Sequence, residues 1–161
     1  MTEAFLLPRL RAHVDETVLA AEALLASAKH SVGTLVSVNG KASVEAIDRH
    51  QVAAHGLAWF ATYVEALRQM RRWAELLTQE KKFGEIEQLI LQAGVAEYAN
   101  QIAFGIPMSQ NEIVRPADLG LDGDAVVNFV KAAGPHIQIP HVRIDDPRGP
   151  APQDRIHGQE Q

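Results

Sequence analysis

Apolar positions recur at helical spacing in several segments, and the segment from Ala53 to Leu77 carries two such patterns at once. Steps of three and four residues place side chains on one face of a helix, because each residue advances by about 100°. A helix with two apolar stripes lies between neighbours or at an interface, so we expect the central helix of a bundle. The first, the core seam, consists of Ala53, Leu57, Phe60, Val64, Leu67, Ala74 and Leu77. The second, the aromatic stripe, consists of Trp59, Tyr63, Ala66, Met70 and Trp73.

The full pattern predicts an all-α bundle of about four helices, with one long central helix. Helix one is expected over residues 4–28, with Pro8 tolerated only in its first turn. Ser43 is a good N-cap for the central helix, which we expect to continue without interruption to Gln79. Gly56 either bends this helix or allows a close contact. A third helix over 85–104 and a short fourth, capped by Asp122 and ending before Gly134, complete the bundle.

Two connections between these helices are expected to be non-helical. We predict a loop over residues 31–42, with a two-stranded flap around Asn39-Gly40 as the alternative, because this pair favours tight hairpin turns. Residues 105–121 are expected to be irregular, with a capping-box pattern from Ser109 to Glu112. The domain therefore covers residues 1–135, and the polar, proline-rich residues 136–161 are predicted to be a flexible tail.

Composition narrows the class of protein. The formal net charge of −5 disfavours a nucleic-acid binder, which needs a basic surface. The chain contains no cysteine, so it has no disulfides or thiolate metal sites, and we expect a cytoplasmic protein. No apolar run approaches the roughly 20 residues that span a bilayer, and the first residues do not resemble a signal peptide. We expect no membrane partner.

The seven histidines do not suggest a metal site. His50 and His55 are five residues apart, so on a helix their side chains point about 140° apart. His136 and His141 flank a proline-containing segment and have no nearby third ligand. The chain has no HExxH or ExxH spacing, no nucleophile elbow and no phosphate-binding glycine motif, so no metal ligand and no catalytic residue is predicted.

Polar residues interrupt the second apolar face of the third helix. This face contains Ile86, Leu89, Ile90, Ala93 and Phe104. On the same side lie Glu97, Asn100 and Gln101, which we predict to form a buried polar cluster. A carboxylate on an apolar face suits acid–base chemistry, but a structural network that joins helices is the favoured interpretation.

Two stretches also resemble a known family. They are HGLAWFATYVEALRQMRRWAELL and KFGEIEQLILQAGVAEYANQIAFGIPMSQNEIVRPADLGL, preceded by VNGKAS. Together they resemble the N-terminal helical extension of long acyl-CoA dehydrogenases of the (2S)-methylsuccinyl-CoA dehydrogenase type. The resemblance implies that FAD and the catalytic glutamate belong to a dehydrogenase body that follows the extension. It therefore assigns no catalytic residue and no cofactor to this chain, and FAD only to a partner or missing domain.

Three hypotheses follow. The first is a non-catalytic interaction or oligomerisation module that docks through Trp59, Tyr63, Met70 and Trp73 against a second copy or an acyl-CoA dehydrogenase subunit. Packing of the same stripe on helix one or four is the competing interpretation. The second hypothesis is a subunit or fragment of an FAD-dependent acyl-CoA dehydrogenase. The third is a bundle that binds acyl-CoA between its two seams, with Glu97 or Gln101 reaching into the pocket.

Overall fold

A computed structural model describes residues 6–137 of the chain, and the all-α bundle of four main helices is confirmed. The main helices are α1 (Leu10–Leu35), α3 (Gln51–Gln79), α4 (Glu85–Phe104) and α5 (Gly123–Ala132). The short elements are β1 (Ser37–Val38), β2 (Lys41–Ala42), α2 (Val44–Arg49), β3 (Ile106–Pro107), β4 (Ile113–Val114), a 3₁₀ turn (Pro116–Leu119) and α6 (Gly134–Ile137). Within the described part of the chain, no helix is long and apolar enough to cross a membrane.

Helix α1 buries the seam that its sequence predicts, but it is displaced toward the C-terminus. It begins at Leu10, and the amide of Leu7 instead donates to Gln92 Oε1 at 2.7 Å. It continues past the predicted end at Ala28 because Val32, one turn further on, is also buried. Burial of this extra turn extends the helix into the segment that was predicted to be a loop.

The connection after α1 forms the flap rather than the loop. Strands β1 and β2 pair antiparallel, with Ser37 opposite Ala42. Asn39 and Gly40 have φ angles of 52° and 75°, the two left-handed residues that a type I′ hairpin turn requires. Ser43 then caps α2, because its Oγ accepts from the Ala46 amide at 3.3 Å.

The predicted uninterrupted central helix is wrong at one residue. His50 leaves helical geometry, with φ −118° and ψ 35°, and separates α2 from α3. Gly56 is not a bend. It is buried, and a Cβ there would collide with Val114 Cγ2 and lie 3.3 Å from a Leu119 methyl. The glycine therefore allows β4 and the 3₁₀ turn to pack closely on α3.

The second connection is more regular than predicted. Strands β3 and β4 pair antiparallel, with Ile106 opposite Val114. Ser109 and Glu112 close the loop of this hairpin, where the Ser109 amide donates to the Glu112 carbonyl, so they do not begin a helix. Asp122 caps α5 as expected, accepting from the Ala125 amide at 2.7 Å.

Helix α5 ends at Ala132, before Gly134 as predicted, but the helical path does not stop there. It continues as α6, which packs on α4 and buries His136. Phe129, Ala133 and His136 follow each other at steps of four and three, so one apolar face crosses the Gly134-Pro135 pair. The rest of the predicted tail lies outside the described residues.

Candidate interaction surface

The two apolar seams of helix α3 differ in how far they are buried. In the core seam, Phe60, Val64 and Leu67 are at most 2% exposed, as the prediction of a central bundle helix requires. Every member of the aromatic stripe is half-buried, and its four large side chains pack against the edge of the core. Geometrically the stripe is therefore a flank of the helix rather than a second core face.

The middle of the aromatic stripe packs on α4. The Tyr63 hydroxyl donates to Gln101 Oε1 at 2.6 Å, and its ring centroid lies 4.7 Å from that of Tyr98. Met70 covers Gly94, where a Cβ would lie 2.8 Å from its Sδ. The pKa of Tyr63 is raised, mainly by desolvation and then by the nearby Tyr98 and Glu97. At these positions the stripe does pack within the bundle, but on the predicted third helix rather than on helix one or four as the competing interpretation had it.

The two tryptophans at the ends of the stripe have a different environment. Trp59 Nε1 donates to His55 Nε2 at 3.0 Å, and the two rings meet edge to face, with centroids 6.4 Å apart. This bond joins two residues one turn apart on the same helix. Trp59 and Trp73 are half-buried, so each indole keeps a surface open to solvent.

Helix α4 continues this apolar surface on its outer side. Ile86, Ile90 and Phe104 are 68%, 57% and 63% exposed. At helical spacing they share one stripe with Gly94 and Gln101, the positions that contact α3. The second seam of this helix, expected from the sequence, is thus open to solvent. We call Trp59, Trp73, Ile86, Ile90 and Phe104 together the α3/α4 face.

The predicted buried polar cluster is not buried. Glu97 is exposed, and Asn100 and Gln101 are half-buried. The Asn100 amide donates to the Ala96 carbonyl of its own helix at 2.8 Å. Gln101 donates to Glu97 Oε1 at 3.2 Å while accepting from Tyr63, so it connects a surface carboxylate with the α3–α4 contact. The prediction of burial was wrong because no element among residues 6–137 covers this face of α4.

The opposite flank of α3 is polar and partly exposed, and Arg68 joins it to α1. Arg68 Nε lies 2.6 Å from Glu22 Oε1, and its Nη1 lies 3.1 Å from Glu65 Oε2. The pKa of Arg68 is raised, chiefly by Glu22 and then by Glu65. The pKa of Glu65 is lowered, first by the Gln69 amide and then by Arg68. These groups satisfy one another and clamp α1 to α3.

One histidine of the described residues is buried, which the sequence did not lead us to expect. His136 is 2% exposed, and neither of its ring nitrogens has a hydrogen-bond partner among the described residues. Burial, followed by the nearby His13, lowers its pKa to about 4. The continued step of four and three from Phe129 was the signal for its burial. Within residues 6–137, no three His, Asp or Glu side chains come close enough to hold a metal ion.

Two glycines of the described residues are packing positions. Gly56 and Gly105 lie against the side chains of Val114 and Ile113 rather than lining an open phosphate cradle. A cleft of about 380 Å³ lies between α1 and the start of α5, lined in part by Ser27, His30 and Asp122, away from the two seams of α3. Between α3 and α4, the rings of Tyr63 and Tyr98 are in contact, with centroids 4.7 Å apart.

Comparison with known proteins supports the resemblance. No family model matches the chain. Over 136 residues the chain is 44% identical to the (2S)-methylsuccinyl-CoA dehydrogenase of Cereibacter sphaeroides, a match that covers 82% of this chain and 25% of that protein. The chain thus spans about a quarter of the length of this relative. It is a helical domain related to one region of an acyl-CoA dehydrogenase, (2S)-methylsuccinyl-CoA dehydrogenase.

Proposed function

We propose that this domain is a non-catalytic interaction module that docks against the body of an acyl-CoA dehydrogenase. The observation that carries this proposal is the 44% identity to a region that makes up 25% of a (2S)-methylsuccinyl-CoA dehydrogenase. In that relative, the matched region and the rest of the enzyme belong to one polypeptide. A module whose relative is joined to a dehydrogenase has that dehydrogenase as its natural partner.

The arrangement of titratable groups supports a non-catalytic role. A general acid or base works when it lies in a cleft beside the reacting atoms. Here the carboxylates with lowered pKa values, Glu45 and Glu65, are exposed and held by neighbouring polar groups. His136, with its lowered pKa, is buried away from solvent. These groups satisfy local structure and do not converge on one cleft.

In this proposal FAD and the reaction belong to the partner, and both proteins are cytoplasmic. The test is to mix the purified chain with the flavin-loaded body of the Cereibacter sphaeroides enzyme, produced without the matched region. We expect the two to sediment as one complex, with flavin absorbance in the fast-moving boundary. Separate sedimentation at all concentrations would contradict the proposal. The intact enzyme is the control, since its own matched region competes for the site.

A second candidate is a subunit or fragment that takes part in catalysis, favoured by the match to only 25% of the relative. It predicts that adding the chain changes the maximal rate of acyl-CoA-dependent dye reduction by the body. The docking proposal predicts a complex with an unchanged reaction per flavin. Comparing turnover of the body with and without saturating chain therefore separates the two functions.

A further inference from the structure

We propose that the α3/α4 face is the surface that binds the dehydrogenase body, with Ile86, Ile90 and Phe104 as its anchors. This inference rests on the proposed function and names the surface that carries it out. It also moves the interface from the stripe predicted on α3 alone to a surface shared by two helices. Tyr63 and Met70 belong to the support of this surface, because they already pack on α4.

Exposure and spacing distinguish this face from other exposed apolar residues. Its three anchors lie on a single helical stripe and are each more than half exposed. The half-buried Trp59 and Trp73 lie one turn from Tyr63 and Met70, the α3 residues that contact Gln101 and Gly94 of this stripe. Other strongly exposed apolar side chains, such as Leu19 on α1 and Val44 on α2, lie on different elements. Isolated apolar residues are ordinary on protein surfaces, whereas several exposed apolar residues aligned on one helix face indicate an interaction site.

The exposed area of the three anchors is large enough for a contact between domains. At roughly 200 Å² for a large apolar side chain, the exposed fractions of the three anchors leave on the order of 400 Å² of apolar surface in solvent. A stable complex between separate proteins buries about 800 Å² on each partner. Contacts between domains of one chain bury roughly 600–1,500 Å² in total, so about half of that on each side. The apolar area of the three anchors lies within the range for contacts between domains of one chain.

In the related dehydrogenase, the homologous region and the rest of the enzyme belong to one chain. Attachment gives an effective concentration on the order of millimolar, so a face of this size is sufficient for docking. The occupant is therefore the surface of a dehydrogenase body. A separately supplied body lacks this advantage, as a free second copy does, so the binding experiments extend to millimolar concentrations of the chain.

The polar group within the face defines the chemistry of its partner surface. Glu97 is exposed on the same stripe, between Ile90 and Phe104, and one of its oxygens accepts from Gln101. Burying a carboxylate is costly unless a donor faces it. The complementary surface is therefore apolar, with a cationic or hydrogen-bond-donating side chain opposite Glu97.

The two tryptophans of the chain, Trp59 and Trp73, both lie on this face, which gives a direct readout. The chain labelled with 5-fluorotryptophan should give two ¹⁹F resonances. We expect both to shift or broaden when unlabelled, flavin-loaded dehydrogenase body is added. Co-expression with the body provides the same complex if the separate proteins exchange slowly.

A matched pair of variants tests the anchors. The Ile90→Arg change should weaken binding at least tenfold, since it places a charge inside the apolar contact. Leu19→Arg is the control, because Leu19 is 60% exposed and Ile90 57%, and it should bind like the unmodified chain. Circular dichroism confirms that both variants remain helical.

The outcomes separate this inference from the proposed function. A complex that forms without a change in either tryptophan signal, or that tolerates Ile90→Arg, overturns the assigned surface and leaves the docking function standing. A chain that does not bind the body at all overturns both. Concentration-dependent ¹⁹F shifts of the chain alone, together with a dimeric mass, assign the face to a second copy and overturn the choice of partner.

Discussion

Helix α4 has two apolar faces that the rest of the molecule treats in opposite ways. Leu91, Val95 and Ile102 face inward and are at most 2% exposed. Ile86 and Ile90 face outward and are more than half exposed. Similar side chains on one helix thus perform two tasks, since the inner face stabilises the domain and the outer face is free to meet a partner. Hydrophobicity alone does not distinguish a core from a docking surface.

The largest expected effect on the free energy of unfolding comes from comparing two neighbouring residues, one on each face. Leu91→Ala should lower the free energy of unfolding by about 2–5 kcal/mol, because Leu91 is 1% exposed and its loss leaves a cavity. Ile90→Ala should change it by less than about 0.5 kcal/mol, as for most surface substitutions. Urea titration of both variants measures the difference. Equal destabilisation would show that the outer face also belongs to the core.

The stability of the domain should depend on pH because α6 buries His136 against α4. The folded-state pKa of His136 is about 4, below its ordinary value of 6.5, so the unfolded chain binds more protons between these values. Its neutral form contributes stability above pH 6.5 that is lost as the pH falls toward 4, by up to about 3 kcal/mol. Urea titrations across this range measure the slope. His136→Leu should flatten this slope.

Two glycines test how tightly α3 is packed on its two sides. Gly56→Ala should destabilise the domain by about 1–3 kcal/mol, because the new methyl group meets the stiff, branched Val114. Gly94→Ala should be close to neutral, since the flexible thioether of Met70 can move and alanine favours the helix. Thermal denaturation of the two variants compares these sides. A strongly destabilised Gly94→Ala variant would contradict an adaptable α3–α4 contact beneath the outer face.

The smallest effect is expected at the hydrogen bond that joins the aromatic stripe to α4. Tyr63→Phe removes a 2.6 Å bond to Gln101 while keeping the ring contact with Tyr98. The cost should be about 0.5–1.5 kcal/mol, the usual net value for such a bond. Gln101→Ala in the Tyr63→Phe background should then cost little more, because the partner is already lost. A double-mutant cycle measures this coupling.

Local signals in the sequence were sufficient for much of the architecture. The bounds of α4 agree with its apolar period, and Ser43 and Asp122 cap their helices as predicted. These features depend on neighbours within about one turn, so the chain itself contains the information. The hairpin at Asn39-Gly40 was available as an alternative for the same reason, since the two residues favour left-handed angles.

Other features had no local signal strong enough to decide them. The break at His50 interrupts a segment with good helical pattern, and nothing in the neighbouring residues marks it. The β3–β4 hairpin depends on Val114 packing against Gly56, far away in sequence. Glu97 was placed in a buried cluster because its face is apolar, although no described element covers that face.

The sequence by itself determined that this protein is a helical bundle, where its longest uninterrupted periods lie, and that α3 and α4 each carry two apolar faces. Periodicity specifies which side chains share a face, because it follows from the geometry of one helix. Only the tertiary structure decided which faces are covered, since burial depends on the neighbours that the fold supplies. That decision buried Leu91 and Phe60 and left Ile90 and Phe104 in solvent.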